Sequence, residues 1–104
     1  MPEPDTRYYA FKLVPPRPSF PADITEAEAA IMAEHVAYWT ELRDGGTAVA
    51  FGPVADPTGV WGLAIVEAGP DTDVNQLREN DPVIRRGLGA HVEIYPMPNA
   101  IVRE

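Results

Sequence analysis

The stretch VWGLAIV, residues 60–66, constrains the fold more than any other segment, because it is apolar at every position. A strand in a sheet with one face in water alternates apolar and polar residues, since successive side chains point to opposite faces. An unbroken apolar strand is therefore expected to be covered on both faces. Helices of the same chain can cover one face of this strand, and the other face must be covered by something else.

The first half of the chain predicts a strand followed by a helix. YYAFKLV, residues 8–14, has the two-residue alternation of a strand. PPRPSFPAD then forms a stiff connecting loop, because its four prolines cannot continue a strand. A helix is predicted over residues 25–43, since TEAE is a capping-box pattern and DGG places glycines at the helix end.

The second half predicts the remaining elements. TAVAFGPV and GVWGLAIVEA are strands separated by a turn, and HVEIYPM is the last strand. GPDTDVNQLREN predicts a shorter helix, and DPVIRRGLG a helical turn with Asp at its cap and Pro at its first position. The order βαββαβ is the split pattern of the ferredoxin-like fold. It predicts an α+β domain with a four-stranded antiparallel sheet and two helices on one face.

The chain length of 104 residues indicates a single domain. Residues 1–7 are predicted to be a loose tail and residues 8–104 the domain. No further segment is left to cover the second face of the apolar strand. We therefore expect a homodimer that pairs sheet to sheet.

Composition disfavours several classes of function. The net charge is −8, and only Arg85 and Arg86 are adjacent basic residues, so nucleic acid and anionic membranes are poor partners. No segment approaches the ~20 apolar residues of a membrane span. The start MPEPDTRYY lacks the pattern of a signal peptide, which makes the cytoplasm the default location. The chain has no cysteine, so a thiolate nucleophile and a Cys-ligated metal are excluded.

His35 is the first candidate for chemistry. In AEHVAYWTEL it shares the apolar stripe of the predicted helix with Ile31, Tyr38 and Leu42, so its ring should point towards the sheet. Either it is a core histidine bonded to a backbone carbonyl, or it belongs to a ligand pocket in which a carboxylate stabilises its charged form.

Three other polar residues have simpler explanations. Asp81, in ENDPVIRRG, is explained locally as a helix cap, which is worth about 1 kcal/mol. Asp56 is mainly a turn residue in VADPTG. His91 starts the last strand, but two histidines without HxH or HxxxH spacing do not indicate a metal site.

Four aromatic residues are candidates for substrate binding. Tyr9, Phe11, Trp39 and Phe51 would wall a pocket for a small, planar, hydroxylated organic ligand, or would be ordinary core. A phosphorylated ligand would need an Arg or Lys clamp or a glycine cradle, and GLG at residues 87–89 lacks the setting of a phosphate loop.

Two segments, FGPVADPTGVWGLAIVEA and ENDPVIRRGLGAHVEIYPM, resemble the YCII-related family of small bacterial proteins. The resemblance extends over residues 8–102. The family pattern is a His on the first helix, a Gly-Pro ending the second strand and an Asp-Pro after the second helix. His35, Gly52-Pro53 and Asp81-Pro82 match it in order and spacing.

The resemblance implies a dimeric α+β barrel. It also implies that His35 and Asp81 are an active-site pair in a cleft between helices and sheet. One relative is a dehydrochlorinase that eliminates HCl from a chlorinated trihydroxybenzene. The proline-rich loop and the tail PMPNAIVRE depart from the shortest members, and such loops shape pockets.

These observations lead to one functional hypothesis and two alternatives. A His35–Asp81 dyad would catalyse proton transfer in the elimination or isomerisation of a small cyclic or phenolic compound. Such chemistry needs no cofactor and no metal. The alternatives are a module that binds a small ligand without reacting, and a domain that functions only through protein interaction.

Overall fold

A computed structural model of the chain describes residues 5–103. Most of the predicted tail, residues 1–4, lies outside the described residues. The first strand begins at Arg7, which pairs with Ala68 on the neighbouring strand. The strand therefore starts one residue before Tyr8, the start predicted for it.

The described chain has seven regular elements, and their order matches the predicted βαββαβ pattern with the second helical region split in two. The strands are β1 (Arg7–Val14), β2 (Ala48–Val54), β3 (Trp61–Ala68) and β4 (His91–Pro96). The helices are α1 (Glu26–Asp44), α2 (Val74–Glu79) and α3 (Pro82–Arg85). No helix within residues 5–103 has the length and apolar character to cross a membrane.

The ends of α1 follow the predicted capping chemistry. The Thr25 hydroxyl accepts from the Glu28 backbone N–H, and the Glu28 carboxylate accepts from the Thr25 N–H. This capping box satisfies two donors that the first turn would otherwise leave unpaired. The helix ends at Asp44, where Gly45 caps it. The sequence-based limits of this helix are confirmed to within one residue.

The strands form one antiparallel sheet in the order β2-β3-β1-β4. The central strands β1 and β3 pair Phe11 with Ala64 and Tyr9 with Val66. Helices pack on this sheet, so the predicted α+β ferredoxin-like fold is confirmed.

The core lies between the helices and one face of the sheet, which we call the inner face. Phe11 on β1, Ala64 on β3 and Phe51 on β2 lie side by side on this face. Trp39 of α1 packs edge-on against Phe11, with ring centroids 5.5 Å apart, and lies tilted over Phe51 at 6.4 Å. Phe11 and Trp39 are buried, at 2% and 3% exposed, whereas Phe51 is partly exposed.

The other face of the sheet, the outer face, is formed by the alternate residues. On β3 these include Trp61, Leu63 and Ile65, all of which are partly exposed. Val66, which points to the inner face, is fully buried. The apolar third strand is thus covered by helices on its inner face, and its outer side chains are only half-buried in the single chain.

The proline-rich loop between β1 and α1 is tied to the helix start by Arg17. Its guanidinium donates to both carboxylate oxygens of Glu28 at 2.8 Å and to the Asp23 carboxylate at 3.0 Å. The hydrogen bond from Arg17 is the main cause that lowers the pKa of Glu28 from 4.5 to about 2. This bidentate contact holds the loop over one end of the inner face.

Candidate active site

His35 and Asp81 meet on the inner side of α1. The Nδ1 atom of His35 lies 2.9 Å and 3.0 Å from the two carboxylate oxygens of Asp81. His35 projects from the middle of α1, and Asp81 is the residue that caps α3. They are 46 residues apart in sequence. The fold therefore creates this pair, because neither local segment contains both residues.

Asp81 accepts more than one hydrogen bond in a buried position. Its side chain is 2% exposed. One oxygen accepts from the Val83 backbone N–H at 3.1 Å, which is the capping bond, and the other accepts from the Trp39 Nε1–H at 2.8 Å. The predicted cap and the predicted functional partner are therefore the same carboxylate. Hydrogen bonds of this kind stabilise the ionised form of a buried carboxyl group.

This environment determines which nitrogen of His35 carries the proton. An ionised carboxylate only accepts hydrogen bonds, so the Nδ1 atom that faces Asp81 has to be the donor. In the neutral imidazole the Nε2 atom then has a free lone pair. In this arrangement Nε2 can accept a hydrogen bond or a proton, and a neighbouring carboxylate can stabilise an imidazolium.

A cavity of about 320 Å³ lies beside the pair, between α1, the inner face and the proline-rich loop, and it also reaches Trp61 and Leu63 of β3. This is the lower end of the ~300–1,000 Å³ range of small-molecule sites. The α1 side contributes Met32, His35, Val36 and Trp39. Val36 is half-exposed, which places it at the mouth. The volume and position suit a compact organic ligand.

The structure brings together most of the residues proposed from the sequence. Phe11, Trp39 and Phe51 line the cavity with His35 and Asp81. Tyr9 is not among the lining residues, although it lies on the inner face and packs against the core. It is two residues from Phe11 along β1, which carries it towards the far end of the sheet.

Sequence reasoning missed two features of this cavity. The first is the proline-rich loop, which supplies Pro15, Phe20, Pro21 and Ile24 to the wall. Phe20 is the only aromatic residue in that stretch and is 7% exposed, so its isolation among prolines was the available signal.

The second missed feature is the floor, where Gly62 and Ala64 occupy inner-face positions of β3. A Cβ atom at position 62 would lie 3.2 Å from the Cβ atom of Leu13, so glycine permits this close packing. Small residues on the inner face of β3 leave the space that the cavity occupies. Their alternation along the strand was visible in the sequence.

Tyr38 lies close to the pair, but its hydroxyl is bonded to the backbone of α2. Its hydroxyl donates to the Leu77 backbone carbonyl at 2.7 Å. Burial, and secondarily the charge of Asp81, raise the pKa of Tyr38 to about 12. Tyr38 therefore stays neutral near pH 7 and joins α1 to α2.

The other polar candidates lie elsewhere. The Asp56 carboxylate accepts from the Thr58 backbone N–H, the Thr58 hydroxyl and the Trp61 Nε1–H, which is the turn-forming role predicted for it. His91 is an exposed residue of β4 whose Nε2 lies 3.2 Å from Glu93. Over residues 5–103 no three acidic or imidazole side chains gather as a metal-binding group would.

Comparison with protein families identifies the family of this chain. The model of the YCII-related domain matches residues 12–98, which is most of the chain. The chain belongs to this family. A comparison with curated proteins found no match. The matched region of this YCII-related domain includes His35, Asp81, Trp39 and Phe51, and leaves Tyr9 and Phe11 just before its start.

Proposed function

We propose that this YCII-related protein is a cofactor-independent enzyme that moves a proton on a small cyclic or phenolic compound, in an elimination or isomerisation. The observation that carries the proposal is the 2.9 Å contact between His35 Nδ1 and Asp81 on the wall of a small apolar cavity. A histidine with only a packing role would not need to face a buried carboxylate that accepts hydrogen bonds from two further donors.

The proposed mechanism assigns one task to each residue. The Nε2 atom of His35 takes a proton from an acidic group of the ligand, while its Nδ1–H remains bonded to Asp81. Asp81 stabilises the imidazolium and does not itself accept the proton. The imidazolium then returns the proton to another atom of the ligand or to a leaving group. Phe11, Trp39 and Phe51 hold the ring in place.

Proton transfer can be tested before the complete reaction is known. A panel of cyclic ketones, lactones and phenols would be incubated with the protein in deuterium oxide, and hydrogen exchange followed by NMR. We expect exchange in at least one compound, slowed about 10²–10⁴-fold by His35→Gln, because a positioned general base contributes that factor. His91→Gln is the control, since His91 is exposed and lies outside the cavity.

Two results would remove the catalytic proposal. Exchange that is unchanged by His35→Gln would show that the dyad does not transfer the proton. Saturable binding without exchange in any compound would favour a module that only binds its ligand.

We also propose that the protein pairs with a second copy through the outer face. The support is the row of Trp61, Leu63 and Ile65 on β3, which stays half-exposed in the single chain although residues 60–66 are all apolar. If two copies packed these outer faces together, each sheet would cover the apolar row of the other, and the pair would form a dimeric barrel.

Light scattering at micromolar concentration tests this pairing. The wild type should have twice the mass of the chain, and Ile65→Asp should halve it. Val36→Asp introduces the same charge on α1, on the inner side of the sheet, and should leave the mass unchanged. A wild type with the mass of one chain would refute the pairing.

A further inference from the structure

The wall of the His35 cavity has very few polar side chains. Among the lining residues in the described part of the chain, His35 and Asp81 are the only ones with ionisable side chains. The others are aliphatic, aromatic, proline, methionine and glycine residues. No lysine or arginine in residues 5–103 lines it. A ligand that enters this cavity therefore meets hydrocarbon on nearly every side.

The polar atoms that do line the cavity are already bonded to protein. The Trp39 Nε1–H is donated to Asp81, and the Trp61 Nε1–H is donated to Asp56. The two Asp81 oxygens accept from His35, Trp39 and the Val83 backbone. Within the described wall, His35 Nε2 is thus the one side-chain nitrogen or oxygen left for a ligand.

We infer that the ligand is a compact, uncharged and largely apolar molecule with a single acidic or hydrogen-bonding group, which faces His35 Nε2. This inference rests on the proposed function and names its substrate class. A second hydroxyl inside the cavity would lose its water without gaining a side-chain partner. A carboxylate or phosphate would also lack a cation to pair with.

The same wall limits the chemistry of the acidic group. When the proton moves to Nε2, the bonding electron pair stays on the ligand as a negative charge. The described side chains offer that charge only the new imidazolium, which already faces Asp81. The ligand must therefore spread the charge over its own unsaturated system, as a phenol or a conjugated enol does. An acid whose conjugate base keeps its charge on one atom would not be deprotonated here.

A series of ligands with one shape and different polarity tests the substrate class. Mesitylene has three methyl groups, the symmetric dimethylphenol replaces one of them by hydroxyl, and phloroglucinol replaces all three. The phosphate ester of the dimethylphenol adds charge. Affinities would be measured by NMR from the ring protons of His35, which are assigned with His91→Gln because the chain has two histidines.

The dimethylphenol should bind best and shift the His35 resonances. Phloroglucinol should bind at least about tenfold more weakly, because two of its hydroxyls are buried without partners. The phosphate ester should show no saturable binding, and mesitylene should bind more weakly than the dimethylphenol. A smaller preference over phloroglucinol, a preference for the phosphate ester, or no binding of the dimethylphenol would overturn the inference.

Two matched variants locate the bound ligand. Ala64→Val narrows the cavity floor and should weaken dimethylphenol binding. Ala68→Val makes the same change at a comparably buried position of the same strand that does not line the cavity, and should leave binding unchanged. Equal effects of the two variants would place the ligand elsewhere and count against the inference.

Failure of this inference can be told apart from failure of the proposed function. The pH titration of the His35 ring is measured by NMR without ligand, in the wild type and in the additional variant Asp81→Asn. A midpoint that differs between them, together with a failed ligand series, leaves the dyad intact and removes only the substrate class. An unchanged midpoint removes the dyad, whichever ligand binds.

Discussion

Residues 5–103 contain two histidine–carboxylate pairs of similar length in very different surroundings. His35 Nδ1 lies 2.9 Å from Asp81, with side chains 14% and 2% exposed. His91 Nε2 lies 3.2 Å from Glu93, with side chains 63% and 38% exposed. The first pair joins α1 to the cap of α3, and the second joins neighbours on the edge strand β4. Distance alone does not distinguish them.

The difference lies in what else holds each carboxylate. Asp81 accepts from His35, the Trp39 indole and the Val83 backbone, so its position is determined by donors on two elements, α1 and α3. Glu93 accepts from the Tyr95 hydroxyl and from His91 on its own strand, where solvent screens the interaction. A buried pair with several fixed donors can orient an imidazole for chemistry, whereas an exposed pair leaves it free to reorient.

The largest expected effect is the loss of stability when the buried carboxylate is removed. Asp81→Ala should lower the free energy of unfolding by about 3 kcal/mol, because the Trp39 and Val83 N–H groups lose their acceptor and α3 loses its cap. Urea unfolding measures the change. Glu93→Ala is the counterpart and should shift the unfolding midpoint much less, because solvent screens the exposed pair. Similar effects of the two variants would abolish the distinction between the pairs.

A smaller effect should follow from the loss of one donor to the buried carboxylate. Trp39→Phe keeps an aromatic ring but removes the N–H that binds Asp81, and should cost about 2 kcal/mol. Urea unfolding measures this change in the free energy of unfolding.

Trp61→Phe is the matched control for this variant. It removes the indole N–H that binds Asp56 in a part-buried position, where water can replace the donor, and should lower the free energy of unfolding by less. If Trp39→Phe costs no more than Trp61→Phe, Trp39 is only a packing residue and does not position Asp81.

The smallest effect concerns the exposed pair. The pKa of Glu93 is lowered, first by the hydrogen bond from Tyr95 and second by His91. Tyr95→Phe should therefore raise the pKa of Glu93 towards 4.5 by more than His91→Gln does. Carboxyl NMR titration measures both shifts, and the reverse order would show that the imidazole dominates this pair.

The sign of the accompanying stability change follows from the direction of the shift. Because the folded pKa of Glu93 is depressed, its contribution is present above about pH 4.5 and is lost as the pH falls through the lowered value. Tyr95→Phe should flatten this acid dependence of the melting temperature. A wild type and a variant with parallel profiles would contradict the assignment.

The sequence predicted the parts of the site that depend on periodicity and capping. The stripe of α1 indicated that His35 points inward, and the Asp-Pro pattern placed Asp81 at a helix start. Neither pattern measures the distance between two segments, so the contact itself came from the family resemblance. Trp39 was proposed as a wall, and its hydrogen bond to Asp81 was not foreseen, because indole direction depends on tertiary packing.

The sequence by itself determined the order of the elements, the limits of α1 and the inward direction of His35, because local hydrogen bonding and the spacing of apolar residues decide these features. Only the tertiary structure decided that Asp81 faces His35, that Phe20 lines the cavity and that Tyr9 lies outside it. Such contacts join residues far apart in the chain. They depend on how strands and helices pack, and the local pattern of either partner does not encode that packing.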